Sequence, residues 1–82
     1  MLVSQTFAIA DIYVPTKRRA TLNPATVQAI AASMLEVGQL TPILVRADGE
    51  RFVLVEGLHR LEAAKALGES KIIGMLVQAR RS

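Results

Sequence analysis

Two short apolar runs, Ile43–Val45 and Arg51–Val55, are separated by the dipeptide Asp48-Gly49. Asp-Gly supplies the positive backbone angles of a tight two-residue turn, so the spacing predicts a β-hairpin across residues 43–55. The hairpin is hemmed in by helical patterns on both sides. Upstream, Asn23-Pro24 reads as an N-cap followed by proline at the first helical position. Val27, Ile30, Ala31, Met34 and Leu35 then fall on one helical stripe, and Gly38 supplies the stop. Downstream, Gly57 punctuates a strand-to-helix change. Leu58, Leu61, Ala63, Ala64 and Leu67 form the stripe of a second helix ending at Gly68.

The flanks read as strands. Thr6–Ala10 alternates, with Phe7 and Ile9 on one face, and Ile12-Tyr13-Val14 stops at Pro15, which cannot donate to a ladder. Thr16–Thr21 reads as a basic loop. Ile72-Ile73 and Met75-Leu76-Val77 read as a last strand interrupted by Gly74. The order strand, helix, hairpin, helix, strand, without repeats, predicts one α+β domain over residues 1–82. A small mixed β-sheet is expected, with helices packed against it.

Composition removes several chemistries. There is no cysteine, hence no disulfide, thiolate metal site or thiol nucleophile. No apolar stretch approaches the roughly 18 residues of a membrane span, and Met1–Phe7 has no basic leader region. A cytoplasmic protein is expected. Phe7, Phe52 and Tyr13 are too few for a base-stacking platform. Ser4, Ser33, Ser70 and Ser82 have no histidine at motif spacing, and neither a Walker-type nor a dinucleotide-binding glycine loop is present. The net charge of +3 is unevenly placed, with Lys17-Arg18-Arg19 contiguous and Arg80-Arg81 at the close. These are solvated surface or contacts to an anionic partner, nucleotide or nucleic acid.

The chemistry concentrates at Val55–Gly68. A strand entering a helix through one glycine leaves the first helical N–H groups unpaired, and with the helix dipole they favour an anion. His59, the sole histidine, and Arg60 occupy that first turn, where the dipole disfavours cations unless an anion is present. Arginine grips phosphate bidentately and histidine donates from its ring nitrogens. The plainer alternative packs His59 on the sheet and lets Arg60 reach water. Glu56, just before the glycine, is open to three roles: general base, Mg²⁺ ligand or helix-terminal acid.

Taken in order, I-Y-V-P-T-K-R-R, then N-P-A-T-V-Q-A-I-A-A-S-M-L-E-V-G-Q-L-T-P-I-L-V-R, then F-V-L-V-E-G-L-H-R-L-E-A-A-K-A-L-G resembles the N-terminal domain of ParB-type partition proteins. That domain belongs to the wider ParB/sulfiredoxin fold. The resemblance covers roughly residues 7–77. It is most specific in S-x-x-x-x-G-x-x-x-P-I-x-V-R combined with V-x-G-x-x-R-x-x-A-A-x-x-L-G. It implies binding of a nucleoside triphosphate, CTP or ATP, with Mg²⁺. The family's phosphate-holding turn falls on Gly57, Leu58, His59 and Arg60, and its upstream basic residue on Arg19, with Arg18 the fallback. The pocket-lining segment falls on Gly38, Gln39, Leu40, Thr41 and Pro42. Glu56 would orient water or hold the metal.

The departures are specific. Leu58, His59 and Arg60 stand where partition proteins usually carry Glu-Arg-Arg. Gly-x-His-Arg is closer to sulfiredoxin and to the small kinase and nuclease-like branches. Leu58 also occupies the position of sulfiredoxin's catalytic cysteine, which excludes that activity. With the chain ending at Ser82, a helix-turn-helix reading of DNA is not expected. The leading expectation is a stand-alone nucleotide-binding domain with slow hydrolysis, acting with DNA or a partition ATPase, and with scope for a homodimer. The alternatives are a nuclease or small-molecule kinase using Glu56, and a DNA or protein adaptor using Lys17–Arg19 and Arg80-Arg81.

Overall fold

The computed structural model describes residues 3–78. The Arg80-Arg81 pair named above lies outside them. Five strands and three α-helices follow in the order β1 (Ser4–Ala8), β2 (Ile12–Tyr13), α1 (Thr16–Arg19), α2 (Pro24–Val37), β3 (Ile43–Asp48), β4 (Arg51–Glu56), α3 (Leu58–Ala66) and β5 (Lys71–Val77), with a 3₁₀ turn at Ile9–Asp11. The architecture is α+β.

The strands form one mixed sheet in the order β1-β5-β3-β4-β2. β5 runs antiparallel to β1 and parallel to β3, and β4 runs antiparallel to β3 and parallel to β2. The two edges, β1 and β2, are consecutive in the chain and joined only by Ile9–Asp11. In a flat sheet they would stand four spacings apart, about 19 Å, whereas three 3₁₀ residues advance only about 6 Å. The sheet must therefore curl. Phe7 of β1 and Phe52 of β4, on non-adjacent strands, accordingly meet edge to face with ring centroids 4.9 Å apart. Inside the curl Phe7, Ile9, Ile12, Val14, Ile43, Val45, Leu54 and Ile72 pack with Leu58, Leu61 and Ala64 of α3.

The expected elements form, with instructive shifts. Asn23 caps α2, its Oδ1 accepting from the N–H groups of Ala25 (2.9 Å) and Thr26 (3.3 Å). Gly38 ends α2 at φ 79°, its N–H donating to the Met34 carbonyl. The hairpin forms, but its central pair is Gly49-Glu50, because Asp48 and Arg51 are themselves paired. The first strand starts and ends earlier than Thr6–Ala10, and Ile9 keeps its place in the core from the 3₁₀ turn. Two expectations are corrected. The basic loop is one turn of helix, α1, opened by Pro15 with its preset backbone angle. Gly74 does not interrupt β5: a Cβ there would lie 3.0 Å from both Ile43 and Phe7, so the glycine admits close packing inside the curl. The α2 stripe is only half-buried, and Leu35 is 77% exposed.

Candidate functional site

The site is built where β4 runs into α3. The β3–β4 register shifts between Leu44 and Val45, so Glu56 rather than Val55 lies opposite Leu44. Bulges of this kind re-aim side chains beside functional sites. Gly57 follows at φ 113°, and a Cβ there would fall 2.6 Å from Ile43 Cγ2 and 2.9 Å from Ile43 Cβ. Both the backbone angle and the contact with a fully buried side chain demand glycine. The abrupt turn it permits starts α3 with no side-chain cap. The first helical hydrogen bond runs from the Leu61 N–H to the Gly57 carbonyl at 2.9 Å. The amides of Leu58, His59 and Arg60 precede it and have no intrahelical acceptor.

The first turn of α3 lines a cavity of about 390 Å³ together with Arg18, Thr21, Ile30, Thr41, Pro42, Glu56 and Gly57; its own lining residues are Leu58, His59 and Arg60. Most of the sequence-expected residues are thus gathered in one place, although they come from α1, the segment before β3, β4 and α3. Among the described residues, the ion pairs are Arg51–Asp48 and Lys65–Glu62. Arg18 and Arg60 are therefore uncommitted cations, and Glu56 is an exposed carboxylate without an ion-pair partner. Leu58 is 5% exposed, its side chain in the core. His59 is half-buried, and its Nε2 lies 2.9 Å from the backbone nitrogen of Asn23.

Four expected residues, Gly38, Gln39, Leu40 and Arg19, do not line this cavity. Arg19, one step along a helical turn from Arg18, faces a separate depression with Asp11, Tyr13 and Arg51. Successive helical side chains diverge by about 100°, so the two arginines line different depressions. Gln39 turns its amide to the backbone of Ile73, donating to its carbonyl at 2.7 Å and accepting its N–H at 2.8 Å, and also donates to the Thr41 carbonyl at 2.9 Å. It extends the contact between β5 and the chain leading into β3 and holds the segment that carries Thr41 and Pro42. Thr21 and Ile30 were missed from the sequence; nothing but proximity to Arg18 marks the first, and the second reads as core.

The donor set, two guanidinium groups and three helix-terminal amides facing one carboxylate, suits a phosphorylated ligand. Among the described residues no group of three or more His, Cys, Asp or Glu is placed to hold a metal ion. A divalent cation here would take Glu56 and oxygens of the ligand itself, which is how Mg²⁺ is usually held.

Comparison with known families decides the lineage. The model of the ParB N-terminal domain matches residues 3–82. The chain belongs to the ParB N-terminal domain family. This ParB N-terminal domain is 32% identical over 62 residues to the probable chromosome-partitioning protein ParB of Campylobacter jejuni, covering 76% of the chain and 22% of that protein. It thus spans less than a quarter of that relative. Among solved structures it superposes on sulfiredoxin from Arabidopsis thaliana with a TM-score of 0.84 at 22% identity, covering 94% of this chain and 86% of that one. It also superposes on the C-terminally truncated ParB from Caulobacter crescentus, solved with CTP-γ-S, with a TM-score of 0.82 at 26% identity over 95% of this chain and 46% of that one. The ParB/sulfiredoxin fold expected from the motifs is the fold found. No helix among the described residues is long and apolar enough to cross a membrane.

Proposed function

We propose that this ParB N-terminal domain binds a nucleoside triphosphate, CTP or ATP, at the mouth of α3, and that it serves partition or another DNA-associated process, together with DNA or a partition ATPase. The observation that carries the reading is that Arg18, Arg60 and the first turn of α3 line one cavity of about 390 Å³, within the range of small-molecule sites. Membership of the family and the likeness to a ParB solved with CTP-γ-S support it. Arg60 and Arg18 would grip phosphate oxygens, the amides would donate to further phosphate oxygens, and Glu56 would help hold Mg²⁺. Mg²⁺, when bound, neutralises phosphate charge that two arginines leave unbalanced.

Titration with CTP, ATP and GTP in the presence of Mg²⁺, followed by calorimetry, tests this directly. Arg60→Ala should weaken binding by about 10- to 100-fold, the value of charge-assisted hydrogen bonds of about 1.5–3 kcal/mol. No saturable binding of any nucleotide to the unaltered protein sinks the reading. One observation favours a second, catalytic use of the site: Glu56 is exposed in the same cavity and has no ion-pair partner among the described residues. A base there would serve a nuclease or phosphoryl transfer. Metal-dependent plasmid cleavage or phosphate transfer abolished by Glu56→Gln is its signature.

A further inference from the structure

A backbone N–H can only donate a hydrogen bond. The 2.9 Å contact between the Asn23 nitrogen and His59 Nε2 therefore fixes the imidazole: Nε2 accepts, carries no proton, and leaves the ring proton on Nδ1. The Asn23 N–H is the group that a glutamate or glutamine at the third helical position takes in a capping box. Here that position is Thr26, whose backbone N–H is capped by Asn23 while its side chain is too short for the return bond. His59 supplies the acceptor from α3 instead.

What hangs on this bond is the segment Thr16–Asn23. Every residue in it is exposed, and α1 buries nothing. Its other backbone hydrogen bonds are local, running from Arg18 and Arg19 to Pro15, from Ala20 to Thr16 and from Leu22 to Arg19. Thr21 clamps Arg18 twice, through its N–H at 3.0 Å and its hydroxyl at 2.7 Å, both donating to the Arg18 carbonyl. Apart from the bonds by which Asn23 caps the adjoining start of α2, the bond from Asn23 to His59 is, among the described residues, the one hydrogen bond tying this segment to another part of the fold. The path is continuous: His59 holds Asn23, Asn23 lies two residues from Thr21, and Thr21 holds Arg18 at the cavity that His59 also lines.

We propose that His59 acts as a positioning residue, holding the Thr16–Asn23 segment so that Arg18 stands over the mouth of α3, rather than as a cationic ligand of the phosphates. The effect on affinity rests on the nucleotide-binding reading; the bond itself does not. Two substitutions separate the roles. Glutamine at position 59 keeps a hydrogen-bond acceptor without charge, and arginine supplies charge without an acceptor.

In the ligand-free protein, ¹⁵N NMR of the imidazole should show the Nδ1–H tautomer, and the Asn23 amide should be protected from exchange. His59→Arg should lose that protection and raise the mobility of the Thr16–Asn23 amides, while His59→Gln retains most of both. With CTP or ATP, His59→Arg and Arg18→Ala should each weaken binding by about tenfold, and the double variant should bind no worse than Arg18→Ala alone. A ring protonated at Nε2, an unprotected Asn23 amide, or losses that add in the double variant each overturn the proposal. If the unaltered protein binds no nucleotide, the function proposed above fails, and the tautomer and exchange results still decide the role of His59.

Discussion

The two long helices of this domain invert what their composition suggests. α2 runs fourteen residues with Glu36 as its single charge, yet it buries none of them. α3 runs nine residues, among them His59, Arg60, Glu62 and Lys65, yet Leu58, Leu61, Ala63 and Ala64 are all buried. The difference is position. α3 lies on β3 and β5 and closes the curl of the sheet, whereas α2 packs chiefly on α3. The polar first turn of α3 is thus carried on the best-anchored helix of the fold, and a binding site gains precision from a rigid support. Met34 of α2 packs against the core, but Leu35 and Val37, 77% and 55% exposed, show how far hydrophobicity and burial have parted.

Substitutions on the two helices should separate accordingly. Leu61→Ala removes a fully buried side chain at the centre of the cluster and should lower stability by about 2–5 kcal/mol, read by urea or thermal unfolding. Gly57→Ala meets both a positive φ and a contact at 2.6 Å with Ile43; it should cost about 2–4 kcal/mol from backbone strain and overpacking and displace the first turn of α3. Leu35→Gln on α2 exchanges an exposed leucine for a residue of similar helix propensity and should stay within about 0.5 kcal/mol of the unaltered protein. A loss at Leu35 as large as that at Leu61 would erase the contrast between the helices.

Local chemistry was readable and non-local pairing was not. Asn23, Pro24, Gly38 and Gly57 punctuate the chain through backbone geometry that each residue imposes on itself, so the ends of α2 and the start of α3 were evident. So was the hairpin, since its strands are neighbours in sequence. The parallel pairing of β3 with β5, and the meeting of Phe7 with Phe52, depend on the curl of the whole sheet and leave no local mark. That is also why Gly74 read as a break rather than as the close-packed centre of β5. At the site, the α3 mouth stood out because a glycine, an arginine and unpaired amides coincide there. The choice between Arg18 and Arg19 did not, because a four-residue turn has no periodicity to read, and one step along it changes the direction by more than a quarter turn. Gln39 shows the same limit: its amide is chemically fit for a ligand, but the backbone of Ile73 claims it.

The order of the strands also sets a timetable for synthesis. β1 is the first strand to be made and pairs only with β5, the last. A ribosome making this domain N-terminal end first releases Phe7 long before Ile72, the residue it faces, exists. During that interval the hairpin and α3 can assemble from local contacts, while the ladder edge of β1 waits unpaired. The curl therefore closes only when β5 emerges, so the completed core, with Gly74 seated between Ile43 and Phe7, is a late event in the life of each new chain.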